Sequence, residues 1–548
     1  MDGAMHHNHS VRTQLLKLRK RLESMPLLGT GTICGVRSRP SRTNKTTGPV
    51  LGGQVTPHNL FIYIQLRDNA ALKPLMTLLV NTCMGMKNSS GGPGWCVKGR
   101  IPVLILTCAI SIVAFACPAP TASQQREEHL QKAIDKLLAG NPLPAITDAE
   151  KAVEANPRSA EALAILGLSQ LKCGGWEKAE SLFNESIAID SLLPEAHLGL
   201  GIIAASRMRY RDAIPHLRQA TSSQLFPGTA FSALAASLED LNLHREASHA
   251  MHEASKYTDE VPADQLANIS AFADIFAAYD GRSLYRIPEN FRSTSVHFDR
   301  PENHVTFPVV LNGSKRIDFV FDTGLGGSLM LSRDYAEGLN LAYVGEITSI
   351  TLYGSVRMKA AILDSLRIGG LVISDVPVLV CENSPFGSIG AIGWKVIQKV
   401  NTAIDFEKSQ IQFFSQGDAE IHREGVADEE KPECVPFLYL TSMYIIARFG
   451  DDLPRAFLFD TGAKASFLHR SSSNGPNGQE YVQPNSSCSI RIGDLTFDLP
   501  QTQFIDFSAV HKKGRYYFPG VIGTDILRHS VLHILPRESI LCIEKSDS

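Results

Sequence analysis

The 548-residue sequence lacks any large excess of one charge. It contains 53 Lys and Arg against 56 Asp and Glu, its formal net charge is −3, and charged residues make up 20% of it. A disordered chain has a high net charge with few apolar residues, and a nucleic-acid-binding chain usually has a strong basic excess, so this composition argues against both classes. The apolar content of 44% is enough for packed cores, and the length corresponds to about three or four domains.

The small net charge is a cancellation between two parts of the chain. Residues 1–83 hold eleven Lys and Arg but only three acidic residues, and residues 84–100 add three more basic ones. The chain from Ile101 onward therefore carries a charge of −14. A basic leading part and an acidic remainder indicate that two chemically different segments meet near residue 100.

At this junction the sequence lacks an apolar run long enough for a comfortable membrane span. The uncharged run at 101–115 has 15 residues, whereas a transmembrane helix needs about 20. Basic residues precede the run and the small-x-small exit Ala114-Phe115-Ala116 closes it, which is the pattern of a secretory signal peptide. We predict a signal peptide at 86–116 and a segment 1–85 that precedes the true translational start. The alternative is a genuine N-terminal extension followed by a single membrane anchor.

Cysteine is too sparse and too irregularly spaced for a dense disulfide framework. Cys117 directly follows the predicted signal peptide, so a lipid-anchored form is an alternative to a cleaved secreted form. We predict an exported protein, periplasmic or extracellular, attached to a membrane only through the signal or a lipid on Cys117. An exported chain could pair some cysteines, but their odd number beyond Cys117 favours free thiols. These cysteines are Cys173, Cys381, Cys434, Cys488 and Cys542.

Patterns that would indicate other chemistry are missing or incomplete. There is no Gly-x-Ser-x-Gly nucleophile elbow and no His-Glu-x-x-His metal-binding helix. The glycine-rich stretch 324–328 lacks the Lys-Ser/Thr of a phosphate-binding loop. His249 and His252 share one predicted helix face, but no further ligand accompanies them. We predict no metal, no cofactor and no nucleic-acid partner.

The segment 126–256 is rich in Ala and Leu and repeats every 34 residues. Small residues at fixed positions would let the two helices of a hairpin approach closely, while aromatic residues and leucines fill the layer between repeats. The recurring sets are Ala145, Ala179, Ala213 and Ala247; Gly167 and Gly201; Trp176 and Tyr210; Phe183 and Leu217. This pattern resembles the tetratricopeptide repeat in three to four divergent copies, and implies an α-helical solenoid whose concave surface binds a protein partner. The alternative is an Ala-rich helical bundle.

The segment 257–295 has no comparable period and is interpreted as a connector. Short β-branched and aromatic runs broken by Gly, Pro and Asn follow, which indicates strands and turns. This region repeats itself, because each copy has an apolar strand ending in Asp-Thr-Gly, at 318–324 and 456–462, and a later hydrophobic-hydrophobic-Gly segment. The predicted boundaries are lobe 1 at 296–416, an acidic linker at 417–432 and lobe 2 at 433–545.

Two matched Asp-Thr-Gly motifs are far more specific than one, because a single copy arises by chance in about one chain in ten of this length. The pair resembles the aspartic peptidases, specifically the retropepsin-like group, with two units fused in tandem as in pepsin-type enzymes. The resemblance covers 296–545 and implies a multidomain chain in which a mainly-β bilobal fold follows the helical solenoid. It also implies an aspartic endopeptidase that acts on a peptide or protein substrate.

The resemblance assigns roles to six residues of the two motifs. It implies that Asp322 and Asp460 form a catalytic dyad, in which two adjacent carboxyls share one proton and activate a water without a metal or cofactor. It further implies that each motif's Thr hydrogen-bonds to the opposite loop and that each motif's Gly permits a backbone conformation that a Cβ would obstruct. These supporting residues are Thr323, Gly324, Thr461 and Gly462.

Lobe 1 departs from the family pattern at three positions. Leu325 follows Asp-Thr-Gly where Ala or Ser is common, and Trp394-Lys395 replaces the usual form that Thr524-Asp525 of lobe 2 approaches. These departures support an alternative function, a non-catalytic peptide-binding scaffold with a degenerate peptidase fold. A third interpretation keeps two competent lobes that pair with the lobes of another chain.

Lobe 1 also has a longer stretch after its motif than lobe 2. Residues 350–358 read as a hairpin with its turn near Gly354, and Tyr353 and Gly354 are its candidate flap residues. Such a hairpin is a candidate flap over the cleft, contributed by one lobe only. A surface hairpin without substrate contact is an equally good interpretation.

Overall fold

The computed structural model describes ten stretches of the chain. They are 122–258, 263–299, 304–351, 354–382, 390–417, 432–450, 454–469, 487–499, 501–507 and 516–545. The predicted segments 1–85 and 86–116, with Cys117, lie outside these residues, as does the acidic linker from 418 to 431. In the stretches covered, no helix is both long and apolar enough to span a bilayer.

The first described stretch folds into four antiparallel helical hairpins, one for each period of the repeat. In chain order the helices are α1 Ala122–Leu138, α2 Pro142–Ala155, α3 Ala160–Lys172, α4 Trp176–Ile189, α5 Pro194–Ser206, α6 Tyr210–Ala220, α7 Pro227–Asp240 and α8 His244–Ala254. Consecutive helices pack against each other along the chain. The predicted tetratricopeptide-type solenoid is therefore confirmed.

Small residues do bring the helices of the hairpins together. A Cβ on Gly167 would stand 2.5 Å from Cε1 of Phe183, and a Cβ on Gly201 would stand 2.7 Å from Cδ2 of Leu217. Because real Cβ atoms do not approach that closely, a side chain at either glycine would force the two helices apart. The recurring alanines Ala145, Ala179, Ala213 and Ala247 are completely buried.

The segment interpreted as a connector contains a helix that was not predicted. Helix α9 (Ala263–Ala278) packs against α8 and against a strand of lobe 1. Its buried positions Ile269, Ala273 and Phe276 recur at helical spacing. This spacing indicates a helix, but it was overlooked because the segment lacks the 34-residue period of the repeat.

Twenty strands are present in the described residues. In chain order they are β1 Ser293–His297, β2 Thr306–Leu311, β3 Lys315–Phe321, β4 Leu329–Ser332, β5 Ala342–Thr351, β6 Gly354–Ile368, β7 Leu371–Cys381, β8 Gly390–Ile392, β9 Asn401–Asp405, β10 Gln410–Phe414, β11 Glu433–Tyr439, β12 Met443–Phe449, β13 Arg455–Phe459, β14 Phe467–His469, β15 Cys488–Ile492, β16 Leu495–Leu499, β17 Gln503–Ile505, β18 Gly520–Ile522, β19 Ser530–Leu535 and β20 Ile540–Lys545. The short helices α10 (Arg333–Ala336) and α11 (Trp394–Ile397) follow β4 and β8.

The two lobes use the same strand arrangement. Lobe 1 has the strand order β2-β3-β8-β4-β7-β6-β5, and an additional pairing of β2 with β6 closes the sheet on itself. In lobe 2 the order β12-β13-β18-β14-β17 repeats the central part, and the hairpin β15-β16 pairs with β12. A short 3-10 helix (Thr524–Ile526) follows β18 where α11 follows β8. The mainly-β bilobal fold predicted from the duplicated motifs is confirmed.

A six-stranded sheet joins the lobes in the order β1-β10-β9-β19-β20-β11. At its centre β9 of lobe 1 pairs antiparallel with β19 of lobe 2. Backbone hydrogen bonds across this pair tie the lobes together along several residues, so their relative position is set by a continuous sheet rather than by the linker.

The prediction of free cysteines is wrong for one pair. Cys434 of β11 and Cys542 of β20 are direct partners in the strand register and form a disulfide. They lie 108 residues apart in sequence, so only the pairing of the first and last strands of lobe 2 brings the two sulfurs together. The thiols of Cys173, Cys381 and Cys488 are free.

The inner helices α3 and α5 are covered on almost every side. Helix α5 has no exposed residue, and α3 has one, Glu161. Helix α5 contacts β11, and the end of α3 reaches lobe 2, where the Tyr517 N–H donates to the Lys172 carbonyl at 2.8 Å. A helix that is apolar all round is buried all round, and here the outer helices and the lobes provide the cover.

Candidate active site

Each Asp-Thr-Gly motif follows a buried strand that pairs in parallel with the hydrophobic-hydrophobic-Gly strand of its own lobe. Strand β3 pairs with β8, and β13 pairs with β18. The Asp322 N–H donates to the Ile392 carbonyl at 3.0 Å, and the Asp460 N–H donates to the Ile522 carbonyl at 2.9 Å. The two lobes thus present their aspartates from equivalent positions on matched platforms.

The aspartates of the same chain face each other. Each carboxyl lies directly over the glycine of the opposite motif. A Cβ on Gly324 would stand 2.5 Å from Cγ of Asp460, and a Cβ on Gly462 would overlap the Asp322 carboxyl in the same way. Neither glycine has a positive φ, so these positions require glycine for space rather than for backbone conformation.

Burial raises the pKa of both carboxyls. Burial raises the pKa of Asp322 well above its ordinary value, and the Asp460 charge and the hydrogen bond between the carboxyls raise it further. Burial also raises the pKa of Asp460, but the hydrogen bond from Asp322 and N–H groups of the surrounding loops hold that increase down. Two such carboxyls cannot easily both ionise, so we expect the pair to share one proton, and its titration belongs to both residues together.

The two threonines hold the loops together. The Thr323 hydroxyl donates to the Phe459 carbonyl at 2.7 Å, and the Thr461 hydroxyl donates to the Phe321 carbonyl at 2.7 Å. Each hydroxyl also accepts from the main-chain N–H of the other threonine, at 3.1 and 3.0 Å. Both side chains are buried, so the four hydrogen bonds form without competition from water.

Lobe 2 supplies two further contacts to the lobe 1 loop that the sequence did not reveal. The Ser442 hydroxyl donates to the Gly324 carbonyl at 2.8 Å, and the Tyr439 hydroxyl donates to the Gly326 carbonyl at 2.9 Å. Neither residue belongs to a recognisable motif, because the β11–β12 turn reaches the opposite loop only in the folded protein.

The departures of lobe 1 from the family pattern leave the aspartate's surroundings intact. Leu325 uses its main-chain N–H, which every residue except proline has, to donate to Oδ1 of Asp322 at 2.9 Å. Trp394 is completely buried, and its ring stacks on Tyr439 with centroids 4.8 Å apart. These residues therefore make contacts within the site, and their departure from the family pattern does not indicate a degenerate fold.

The predicted hairpin is present, formed by β5 and β6. The last pair of the register joins Thr351 to Gly354. Tyr353 of the candidate flap lies outside the described residues, and the backbone of Gly354 begins β6. The base of the hairpin is braced by α9, since the Asn268 side chain donates to the Thr348 carbonyl at 2.6 Å and accepts from its N–H at 2.7 Å.

Metal-ligand clusters are not found in the part of the chain that the structure covers. No group of three or more His, Cys, Asp or Glu side chains there is arranged to hold an ion. The Oδ1 atoms of the two aspartates accept hydrogen bonds from N–H groups of their own loops. Acid–base chemistry by a carboxyl pair is what this arrangement can perform.

A helical repeat of the tetratricopeptide type followed by a bilobal aspartic-protease-like fold describes this chain. Within it, residues 307–396 match the family model described as aspartyl protease, which covers the first motif and its hydrophobic-hydrophobic-Gly segment. That segment is therefore similar to aspartyl protease domains, and the resemblance inferred from the paired motifs is confirmed.

Solved structures that are similar to parts of the chain include the following three. The aspartic proteinase from Irpex lacteus is 12% identical with a TM-score of 0.34, covering 46% of this chain and 98% of that one. Pseudomonas aeruginosa pilF is 20% identical with a TM-score of 0.24, covering 30% and 79%, respectively. A mutant Thermobaculum terrenum O-GlcNAc transferase is 22% identical with a TM-score of 0.23, covering 26% and 28%. No curated protein matches the chain.

Proposed function

We propose that this protein is an exported aspartic endopeptidase in which Asp322 and Asp460 of one chain activate a water molecule. The observation that carries the proposal is that the two carboxyls face each other across the lobes, each directly over the glycine of the opposite motif. We assign the shared proton to Asp322, which is the more deeply buried of the two. A buried carboxyl pair that holds one proton is the requirement for acid–base hydrolysis of an amide without a covalent intermediate.

The proposed reaction uses both protonation states at once. The Asp460 carboxylate takes a proton from the water while the water oxygen attacks the carbonyl carbon of the peptide bond. The Asp322 hydroxyl donates to the carbonyl oxygen and stabilises its developing negative charge. When the C–N bond breaks, the leaving nitrogen takes up the proton that came from the water, and the carboxyl pair returns to one proton.

Two alternatives remain distinguishable by experiment. A non-catalytic peptide-binding scaffold was suggested by Leu325, Trp394 and Lys395, but these residues support the loop instead of disrupting it. Pairing between the lobes of different chains is not required, because the two motifs of one chain already meet.

The test compares Asp322→Asn, Asp460→Asn and the exposed control Asp498→Asn for cleavage of a peptide library between pH 4 and 7. We expect each dyad variant to lose at least about 10³-fold in kcat/KM and the control to retain full activity. Full activity in either dyad variant would rule out the intramolecular dyad. A wild-type protein that binds but cuts no peptide would establish the scaffold function instead.

Export is the second part of the proposal. It is supported by the signal-like segment 86–116 and by the Cys434–Cys542 disulfide, since stable disulfides are typical of oxidising compartments. N-terminal sequencing of the mature protein tests it. A chain that begins close to residue 117 is expected, and a mature product that retains Leu15 would contradict it. A lipid on Cys117 would be detected as an added mass on the N-terminal peptide.

The binding of a further protein by the repeats stays a prediction. Helices α3 and α5, which would line the concave surface, are covered by the rest of the fold. A partner would therefore have to use the outer helices, and loss of binding after charge reversal on exposed residues of α4, such as Glu177 and Lys178, would test this.

A further inference from the structure

Lys395 links lobe 1 to the helical repeat. It lies on α11, directly after the hydrophobic-hydrophobic-Gly segment, and its ammonium donates to the carboxylates of Glu239 at 2.7 Å and Asp240 at 2.6 Å. Both acids lie at the C-terminal end of α7. Next to them, Gln398 donates to Asp240 at 2.8 Å and accepts from the Tyr210 hydroxyl at 2.8 Å.

This ion cluster is withdrawn from solvent. The side chain of Lys395 is 18% exposed, and those of Glu239 and Asp240 are 8% and 7% exposed. Burial alone would lower the pKa of Lys395, but the two carboxylates outweigh it and the pKa lies well above its ordinary value. Because buried charges are costly unless they are paired and hydrogen-bonded, the three groups have to stay together.

The same position in lobe 2 is held in a different way. The residue that corresponds to Lys395 is Asp525, whose carboxylate accepts from the hydroxyl and the N–H of Ser466 at 2.7 and 2.9 Å. Ser466 in turn belongs to the stretch that follows the second Asp-Thr-Gly. Lobe 2 thus anchors its hydrophobic-hydrophobic-Gly turn to its own loop.

Lobe 1 cannot form that contact. Its matching serine, Ser328, is buried, but a lysine ammonium has only donors and cannot accept from a hydroxyl. The side chain at position 395 points instead to the acidic end of α7. Lobe 2 anchors this turn by a contact within the lobe. In lobe 1 the helical repeat provides the corresponding anchor.

The anchored turn holds the active loop through its main chain. The N–H groups of Gly393, Trp394 and Lys395 donate to the carbonyls of Ser328, Leu325 and Gly327 at 2.7, 2.8 and 3.1 Å, respectively. These carbonyls belong to the stretch that begins one residue after Asp322-Thr323-Gly324. A shift of α11 would therefore move the residues whose N–H groups bind the Asp322 carboxyl.

We propose that Lys395 is a positioning residue for the dyad, and that the helical repeat serves as a fixed part of the active site through Glu239 and Asp240. The role in catalysis rests on the proposed peptidase function, whereas the role in holding the loop does not. In this proposal the helical repeat binds lobe 1 of its own chain.

The test uses two triple variants of the full chain that differ at one position. Lys395→Met with Glu239→Gln and Asp240→Asn removes all three charges of the cluster at similar volume. Lys395→Asp with the same two neutral changes offers Ser328 the carboxylate that Ser466 has in lobe 2. The control is the exposed pair Arg218–Glu246, changed to Met and Gln. Each protein is assayed for kcat, KM and hydrogen exchange of the segment 320–330.

We expect the methionine triple variant to lose roughly tenfold to a hundredfold in kcat at unchanged KM, because small displacements of reacting groups are costly. Its segment 320–330 should exchange faster than in the wild type. The aspartate triple variant should recover most of both properties, and the control should match the wild type. Wild-type kcat and exchange in the methionine variant would overturn the proposal. An aspartate variant as impaired as the methionine variant would overturn it too, since the loss would then come from interface packing.

Failure of the peptidase proposal gives a different result. If the wild type cleaves no peptide, the exchange measurement alone decides. Faster exchange of 320–330 in the methionine variant, reversed in the aspartate variant, supports the positioning role, and unchanged exchange refutes it.

Discussion

The hydroxyls of Thr323 and Thr461 form reciprocal hydrogen bonds between the two lobes. Each hydroxyl donates to the main-chain carbonyl of the residue that immediately precedes the other lobe's aspartate. The two loops therefore cannot move apart without breaking buried hydrogen bonds on both sides at once. This relationship makes the carboxyl pair a property of the two-lobed chain and not of either lobe. It also predicts how strongly the site depends on each hydroxyl.

Removal of either hydroxyl should loosen both loops. Thr323→Val keeps the shape of the side chain but leaves the Phe459 carbonyl and the Thr461 N–H without their partner. We expect a loss of about 1–3 kcal/mol in the free energy of unfolding, with a lower kcat, whereas Thr323→Ser should stay close to the wild type. Urea unfolding and steady-state kinetics check this. A valine variant that is as stable and active as the serine variant would contradict it.

A single methyl group at either motif glycine should disrupt the dyad. In Gly462→Ala the new Cβ would occupy space held by the Asp322 carboxyl, so the carboxyl must move or the loop must shift. We expect at least about a hundredfold loss of kcat, because displacement of a reacting group by about 1 Å costs that much. Gly417→Ala is the matched control, since its Cβ would meet only Ser415 Oγ at 3.9 Å. Equal kcat in both variants would contradict the geometry.

The buried pair should make stability depend on pH with a defined sign. The folded state raises the pKa of Asp322 above the unfolded value of about 3.9, so it binds more proton than the unfolded chain above that pH. The stability from this group is fully present below about pH 4 and is lost as the pH rises toward the folded pKa. Asp322→Asn lacks the titrating carboxyl and therefore does not lose stability in this way. The free energy of unfolding of the variant, relative to that of the wild type, should increase from pH 4 to pH 7.

Urea unfolding at several pH values measures this difference. The expected gain is up to about 1.4 kcal/mol for each pH unit until the folded pKa is reached. The exposed Asp498→Asn is the control for the substitution itself. A difference between Asp322→Asn and the wild type that does not vary with pH would show that the Asp322 carboxyl is not held protonated in the folded protein.

Features with a period or a paired motif could be predicted from the sequence. The alanines of the repeat recur every 34 residues, and the two Asp-Thr-Gly strands stand in matched surroundings, so hairpins and lobes follow from local pattern. The facing of Asp322 and Asp460 followed from the family resemblance and the two-fold repetition. The role of Gly324 and Gly462 was predicted only in part. Glycine is required at both positions, but the reason is the space that the opposing carboxyl occupies and not the backbone conformation.

Contacts between distant residues left no sequence signal. Lys395 and Glu239 are 156 residues apart, and in the sequence Lys395 was only a departure from the family pattern. Its meaning emerged from the acidic end of α7, which the fold places beside α11. The Cys434–Cys542 disulfide was missed for the same reason, since only the pairing of β11 with β20 makes the two residues neighbours.

The disulfide should stabilise lobe 2 measurably. It closes a loop of about a hundred residues between the first and last strands of the lobe, so it restricts the unfolded chain strongly. We expect Cys434→Ala with Cys542→Ala to lose about 2–4 kcal/mol in the free energy of unfolding. Thermal unfolding with and without dithiothreitol checks this. The reductant should lower the Tm of the wild type and leave the double variant unchanged, and an equal shift in both would contradict the pairing.

Asn268 should decide whether the β5–β6 hairpin acts as a flap. Its side chain makes two hydrogen bonds to the main chain of Thr348, so Asn268→Ala removes the brace that α9 provides to β5. We expect faster hydrogen exchange in 342–351 and a stability loss of about 1–2 kcal/mol. Asn268→Asp should be no better, because a carboxylate can accept from the Thr348 N–H but repels its carbonyl. The exposed Asn184→Ala on α4 is the control.

If the hairpin contacts the substrate, KM rises several-fold as the brace is lost. An unchanged KM together with faster exchange would assign the hairpin to the surface and remove Tyr353 and Gly354 from the site.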